Sequence, residues 1–113
     1  MNCLFCKIIQ QEIPASVVYE DDNILAFEDV NPQAPVHILV IPKKHIATVL
    51  EIPTEDNELI GQMYQVASSI AKDRKIADNG FRLVMNCNSD AGQTVFHIHL
   101  HLLGGRPMTW PPG

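Results

Sequence analysis

The chain has 113 residues, of which 46% are hydrophobic and 19% are charged. This balance excludes a disordered chain, and the length predicts a single domain over residues 1–113. Eight Lys and Arg against 13 Asp and Glu give a net charge of −5, which argues against a nucleic-acid polymer as partner. Apolar runs are far shorter than the roughly 20 residues that span a bilayer. Polar residues near the amino terminus interrupt the apolar core that a secretory signal would need. We therefore expect a cytoplasmic protein that binds no membrane.

Helices and strands are predicted in a simple order along the chain. A short apolar patch over residues 5–10 predicts a short N-terminal helix that ends before Pro14. Helical spacing of apolar residues over 59–71, with Thr54 as a cap, predicts one long helix. Runs of β-branched and aromatic residues predict strands at residues 17–19, 24–27, 36–41, 81–85 and 95–103. The pattern favours an α+β fold with an antiparallel sheet of about five strands, the first three forming a meander, and the long helix on one face.

Three histidines alternate with apolar residues in the last predicted strand. His97, His99 and His101 would share one face, because successive strand side chains point to opposite faces. An imidazole is largely neutral at pH 7, so the middle one can attack phosphorus while its neighbours orient the reacting group. The alternative is metal binding by an adjacent pair, since His97 and His101 would lie about 13 Å apart along a strand. A half-exposed strand without chemistry is the third interpretation.

Polar residues directly precede the histidine strand. They offer amide and hydroxyl groups, and a glycine among them lets a ligand approach the backbone closely. The residues are Asn86, Ser89, Asp90, Gly92, Gln93 and Thr94. This composition predicts a phosphate-binding loop, with an ordinary polar loop as the alternative.

Two of the three cysteines lie near the amino terminus. Cys3-Leu4-Phe5-Cys6 has the spacing of half a zinc site. A redox pair and two plain thiols are the alternatives, and a disulfide framework does not fit three cysteines in this arrangement. Cys87 has no partner in the sequence pattern and is interpreted as a small residue at a strand end.

The segment His97-Ile98-His99-Leu100-His101-Leu102-Leu103 resembles the signature of the histidine triad (HIT) superfamily. The flanking residues 92–96 and 104–106 are similar to the branch of histidine triad nucleotide-binding proteins, or purine nucleoside phosphoramidases. Segments 19–22, 26–29, 32–35, 41–45 and 110–113 also have counterparts in that branch. The resemblance therefore covers nearly the whole chain and implies a HIT-like α+β homodimer.

This resemblance implies a nucleotide-binding hydrolase that cleaves the P–N bond of adenosine or guanosine 5′-phosphoramidates. His99 would be nucleotidylated transiently, with His97, His101 and Thr94 completing the catalytic set, and Asp29 would receive the ribose hydroxyls. The sequence leaves open whether His101 or Thr94 assists the departing amine. The implied nucleotide-binding residues are Phe5, Ile8, Phe27, Asp29, Val30, His37, Asn86, Gly92, Gln93, Thr94, His99 and His101.

The resemblance also implies a metal site and a role for the carboxyl-terminal tail. Some bacterial members of the superfamily bind zinc through the residues that correspond to Cys3, Cys6, His45 and His97. Two thiolates and two imidazoles fill a tetrahedral shell, so this zinc would be structural, and no organic cofactor is implied. Trp110 would lie near the nucleotide site of the partner subunit, with a locally packed indole as the alternative.

Two other functions stay open at this point. One is a nucleotide-binding dimeric adaptor in which turnover is incidental. The other is a zinc-dependent hydrolase that uses paired histidines of the triad, which requires an open position on the metal.

Overall fold

The computed structural model describes residues 2–113. Within this range the chain forms two α-helices, α1 (Leu4–Ile9) and α2 (Asn57–Asp73). Five strands are present in the same range: β1 (Val17–Glu20), β2 (Ile24–Glu28), β3 (Val36–Pro42), β4 (Phe81–Val84) and β5 (Leu100–Gly104). The predicted α+β fold, with five strands, one long helix and a short N-terminal helix, is confirmed.

The five strands form one antiparallel sheet in the order β1-β2-β3-β5-β4. The first three strands form the predicted meander. β5 then enters between β3 and β4, with Leu103 opposite His37 and His101 opposite Leu39. His37 and His101 are therefore diagonal neighbours on one face of the sheet, close enough for long side chains to touch.

The two faces of the sheet are covered by different helices. α2 buries one apolar stripe against the first face, through Met63, Ala67, Ile70 and Ala71. The second face carries Leu25, Phe27, Leu39 and Ile41, and Phe5 of α1 packs against them. The short helix therefore covers the face that holds His37.

The last strand is shorter than predicted. The sequence predicts a strand over 95–103, but β5 is Leu100–Gly104, and residues 95–99 are irregular. The main-chain amide of Ile98 donates to the carbonyl oxygen of Ile46, at 2.8 Å, and does not join the ladder between β3 and β5. Alternation of apolar and polar residues in a sequence does not show which of them pair with a neighbouring strand. The predicted strand was therefore wrong for His97 and His99, which precede β5.

The long helix also begins later than its predicted cap. Thr54–Asp56 is a single 3-10 turn, and α2 starts at Asn57 after Asp56. The Asp56 carboxylate makes no capping hydrogen bond and is paired with Lys44, at 2.6 Å. Among residues 2–113, no helix has the length and apolar character needed to cross a bilayer.

Candidate functional site

His99 lines a cavity of about 400 Å³ on the α1 side of the sheet. Its ring is buried, and Nδ1 lies 2.8 Å from the main-chain carbonyl oxygen of His97. Because a carbonyl oxygen only accepts hydrogen bonds, Nδ1 of His99 carries the proton and Nε2 keeps its lone pair. Burial lowers the pKa of His99 below its usual range. His99 is thus a neutral imidazole with an available nucleophilic nitrogen.

A chain of hydrogen bonds fixes the opposite tautomer at His101. The amide of Gln33 donates to Nδ1 of His37, at 3.0 Å, so His37 carries its proton on Nε2. That Nε2 lies 2.9 Å from Nδ1 of His101, which must accept and must carry its own proton on Nε2. Burial, followed by the neighbouring His99 and His37, lowers the pKa of His101 to about 4. His101 therefore presents an N–H donor beside the lone pair of His99.

His37 has a different position from the one predicted. The resemblance implies that His37 binds the nucleotide, whereas its ring is 5% exposed, lies behind His101 and, within residues 2–113, is not in the cavity lining. The Asp29 carboxylate lies 3.4 Å from His37 Nε2 and accepts from the amide of Asn31, at 2.8 Å. Burial lowers the pKa of His37, and the nearby Asp29 opposes this only in part. His37 is thus a buried residue whose hydrogen bond orients the ring of His101.

The cavity wall brings together most of the residues expected to bind a nucleotide. The predicted residues found in its lining are Phe5, Ile8, Phe27, Asp29, Val30, Thr94, His99 and His101. The lining also includes residues that were not predicted: Leu4, Ile13, Pro14, Ala15, Glu28, Leu39 and Val95. Leu39 could be identified from the sequence, because it alternates with His37 along β3. The loop residues after α1 follow no such pattern. The walls are mostly apolar, with a few polar groups, as is usual for small-molecule sites.

The predicted phosphate-binding loop contributes fewer residues to the cavity lining than expected. Gln93 is buried, and its side chain accepts from the amide of Asn88 and donates to the carbonyl oxygens of Ala47 and Val95. These bonds use the side-chain amide of Gln93 to hold the loop, and its main-chain N–H also donates within the loop, to the carbonyl oxygen of Asn88 at 3.0 Å. In the described part of the chain, the cavity lining includes Thr94 from this loop but not Asn86, Gly92 or Gln93. Gly92 has φ +88°, which accounts for a glycine after the Ser89–Ala91 turn.

A second group of side chains lies around Nδ1 of His97. Cys3, Cys6, His45 and His97 place their ligand atoms within 4.8 Å of one another. We call these four residues the thiol–imidazole cluster. Sγ of Cys3 lies 3.5 Å from Nδ1 of His97, and Sγ of Cys6 lies 3.4 Å from Nδ1 of His45 and 3.6 Å from Nδ1 of His97. The two Nδ1 atoms are 3.2 Å apart.

These distances fit a tetrahedral metal ion. Around one zinc, nitrogen–nitrogen and nitrogen–sulfur pairs lie about 3.3–3.6 Å apart, given metal–ligand bonds of about 2.0–2.3 Å. His97 donates from Nε2 to the carbonyl oxygen of Pro42, at 2.7 Å, so the lone pair of its Nδ1 faces the cluster. Metal-binding histidines usually donate from the second ring nitrogen in this way. Burial and the neighbouring Cys3 raise the pKa of Cys6 to about 11, so this thiol needs a nearby cation to ionise at neutral pH.

The structure changes the predicted role of His97. His97 is expected in both catalysis and metal binding, but its ring is fully buried and faces the cluster, and residues 95–97 form a bend before β5. Within residues 2–113, His97 is not part of the cavity lining. Its contact with His99 is made by its carbonyl oxygen, which fixes the tautomer of the His99 ring.

The carboxyl-terminal tail leaves the sheet beside the edge strand β4. Arg82 of that strand donates to the carbonyl oxygen of Thr109, at 3.0 Å, and its guanidinium lies 6.0 Å from the centre of the Trp110 ring. The Trp110 side chain is 81% exposed. The indole thus lies outside the core of its own chain, next to Arg82.

The sequence and fold match known proteins over almost the whole chain. A family profile described as HIT domain matches residues 10–108. The chain is 51% identical over 105 residues to the purine nucleoside phosphoramidase of Escherichia coli strain K12, covering 93% of this chain and 88% of that protein. It is 56% identical over 112 residues to an uncharacterised HIT-like protein of Synechocystis, covering 99% and 97%. A crystal structure of a HIT family hydrolase from Legionella pneumophila superposes with a TM-score of 0.97 at 60% identity, covering 99% of this chain and 100% of that one.

Proposed function

Because this chain belongs to the HIT domain family, we propose that it hydrolyses the P–N bond of purine nucleoside 5′-phosphoramidates through a nucleotidylated His99. The family and the named relatives make it similar to nucleotide hydrolases, one of which is called a purine nucleoside phosphoramidase. One observation carries the finer proposal. The hydrogen bonds leave a lone pair on Nε2 of His99 and an N–H on Nε2 of His101, both on residues that line one apolar cavity.

The cavity accounts for recognition of the nucleoside. Phe5 and Phe27 meet edge to face, with ring centres 5.5 Å apart, and with Ile8 they form an apolar wall for a purine. Such a wall makes few demands on the pattern of polar groups on the base, so adenine and guanine are both accepted. Asp29 provides a carboxylate that can accept hydrogen bonds from both ribose hydroxyls.

The reaction proceeds in two displacements on phosphorus. In the first, Nε2 of His99 forms a bond to the α-phosphorus while the P–N bond to the amine breaks. The leaving nitrogen takes a proton, supplied through His101 or the Thr94 hydroxyl. In the second, water attacks the same phosphorus, the bond to Nε2 breaks, and the proton released by water restores the donor. Each displacement is easier than direct attack by water, and the donors around the phosphate stabilise the charge that develops.

A single-turnover experiment tests this proposal. Excess protein is mixed with adenosine 5′-phosphoramidate labelled in the nucleoside, quenched and analysed for acid-labile nucleotide on histidine. We expect the adduct on His99 in the native chain and none in His99→Ala, although that variant still binds AMP. A chain that binds AMP but forms no adduct and releases no amine would be an adaptor and not a hydrolase.

We also propose that the thiol–imidazole cluster binds a structural zinc ion. The four donors fit the ion in number, type and spacing. A filled tetrahedral shell leaves no position for water or substrate, so bound zinc would supply stability and no step of the reaction. The zinc content of purified protein, compared with that of Cys6→Ser, tests the site, and we expect about one ion per chain in the first and much less in the second. Equal contents would rule the site out.

A homodimer completes the proposal. β4 is an edge strand of the sheet, and the exposed Trp110 lies beside it, held through Arg82. Unpaired sheet edges are usually covered or paired. We infer that two copies associate on this side, with Trp110 near the nucleotide site of the partner, and that the protein acts in the cytoplasm on free nucleotides. Sedimentation of the native chain and of Trp110→Ala tests this, since a monomeric native chain excludes the arrangement.

A further inference from the structure

Phe5 contacts both groups of functional side chains. It lies between the two cysteines in the sequence and is 4% exposed. Its ring meets the ring of His97 at 5.9 Å and that of His99 at 5.1 Å, edge to face in both cases. The same side chain therefore touches a residue of the thiol–imidazole cluster, the proposed nucleophile and the cavity.

The main chain of His97 makes a second connection. Its ring is held by Pro42 on one side and faces the cluster on the other. Its carbonyl oxygen accepts the hydrogen bond that fixes the tautomer of His99. A change in the position of His97 therefore changes the support of His99.

The helix that carries Phe5 is too short to be stable alone. α1 has six residues, whereas isolated helices shorter than about 12–15 residues are marginal in water. It lines the nucleotide cavity through Leu4, Phe5 and Ile8. A second cavity, of about 510 Å³, lies beside the cluster at Cys3 and His45, and Leu4, Thr94 and Val95 line both cavities. The position of α1 thus defines a wall shared by the two sites.

We propose that the thiol–imidazole cluster and the nucleotide cavity are energetically coupled through Phe5, which acts as a positioning residue. A thiophilic divalent ion on the cluster stabilises α1 in its docked position, and that position is the one that completes the nucleotide cavity. The ion then strengthens nucleotide binding, and nucleotide strengthens ion binding by the same factor. This inference depends on the nucleotide site and the zinc site proposed above.

Two binding measurements on the full chain under reducing conditions test the coupling. Titration calorimetry gives the affinity for AMP with the cluster loaded with zinc and after removal of zinc by a chelator. Competition with a chromophoric chelator gives the affinity for zinc with and without saturating AMP. We expect both affinities to rise by one common factor of about 5–30, within the usual range of coupling between sites.

Two variants on α1 separate positioning from simple loss of wall contacts. Phe5→Leu keeps an apolar side chain but loses the ring contacts with His97 and His99, so the coupling factor should fall toward about one. Ile8→Ala removes wall area from the same helix at a residue outside the cysteine pair. It should bind AMP more weakly while the coupling factor stays as in the native chain. Phe5→Met replaces Phe5→Leu if circular dichroism shows that the latter is unfolded.

The outcomes distinguish this inference from those on which it rests. If zinc and AMP both bind but neither affects the other, the coupling is wrong and the two sites stand. A chain that binds AMP but no zinc overturns the zinc site and the coupling together and leaves the hydrolase proposal to the adduct experiment. A chain that binds no AMP overturns the nucleotide site. An unchanged factor in Phe5→Leu removes Phe5 from the connection.

Discussion

His97 and His99 are two residues apart, yet the structure gives their rings opposite arrangements. His97 donates from Nε2 to Pro42 and turns the lone pair of Nδ1 toward two sulfur atoms. His99 donates from Nδ1 to the carbonyl of His97 and keeps the lone pair of Nε2. In each ring, the nitrogen that donates to a main-chain carbonyl oxygen carries the proton, and the other nitrogen keeps its lone pair. A single hydrogen-bond partner therefore separates a metal-ligand type of histidine from a nucleophile type in the same short segment.

Replacement of histidine by glutamine at His99, in the cavity, and at His45, in the thiol–imidazole cluster, gives the largest expected contrast. His99→Gln removes the nucleophile, so we expect turnover to fall by about 10⁴-fold or more, with little change in the melting temperature. His45→Gln changes the cluster, so it should lose zinc and thermal stability but keep turnover within about thirtyfold. Steady-state kinetics and thermal unfolding of both variants check this. Equal losses of turnover would mean that the two regions are one catalytic site.

Removal of the carboxylate of Asp29, the proposed ribose acceptor, should have the next largest effect. Asp29→Asn keeps an acceptor for the amide of Asn31 but loses the charge, which is worth about 1.5–3 kcal/mol for hydrogen bonds to a charged group. AMP should therefore bind about 10–100-fold more weakly.

Nucleoside analogues and a neighbouring variant show whether this loss arises at the ribose. A 2′,3′-dideoxy nucleotide should bind the native chain more weakly than AMP does, and Asp29→Asn should distinguish the two much less. Glu28→Gln is the matched control, because Glu28 is the neighbouring acidic residue and its carboxylate is paired with Arg74. A similar loss in both variants would indicate a general effect of charge and not ribose recognition.

The loop next to the cavity gives a smaller effect, on stability. Gln93→Ala leaves an amide and two carbonyl groups without the partners that the Gln93 side chain gives them. We expect a loss of about 2–3 kcal/mol in the free energy of unfolding, measured with urea. Gln65→Ala on the exposed side of α2 should change it by less than about 0.5 kcal/mol. A small loss at Gln93 would mean that its side chain is free to bind phosphate.

The subtlest test is the titration of His101. Its pKa is lowered from 6.5 to about 4, chiefly by burial. We expect nuclear magnetic resonance to show a neutral ring with the proton on Nε2 down to pH 5, and bound AMP to raise the pKa through the phosphate charge. Because the pKa in the folded state is the lower one, the unfolded chain binds more protons, so this group makes stability fall as the pH drops from 6.5 toward 4. A titration near 6.5 would contradict the buried arrangement with His37.

The sequence predicted the parts of this site that depend on periodicity and spacing. Alternation identified the three histidines, and the spacing of Cys3 and Cys6 suggested half a metal site, whose four donors the structure then brings together. The meander and the long helix followed from turn residues and from helical repeats. These signals are local, so a single sequence carries them.

The missing parts depend on contacts between distant segments. Nothing near Gln93 in the sequence indicates that Ala47 accepts from its side chain, so the residue was assigned to phosphate. The bond between His37 and His101 arises from the register of β3 and β5, which a pattern within one strand does not contain. The bend at residues 95–97 is followed by a hydrogen bond from the amide of Ile98 to the carbonyl oxygen of Ile46, a distant contact that keeps this amide out of the ladder.

The hydrogen bond from His97 to Pro42 has a consequence for how this protein can change over time. That bond holds His97, the first histidine of the triad, and does not involve the cysteines. Its acceptor is a main-chain oxygen, which remains when the side chain at that position is replaced. A chain that loses both cysteines therefore keeps the hydrogen bond that supports His99. The proposed metal site can be lost by mutation without loss of that support, whereas replacement of His99 removes the proposed nucleophile.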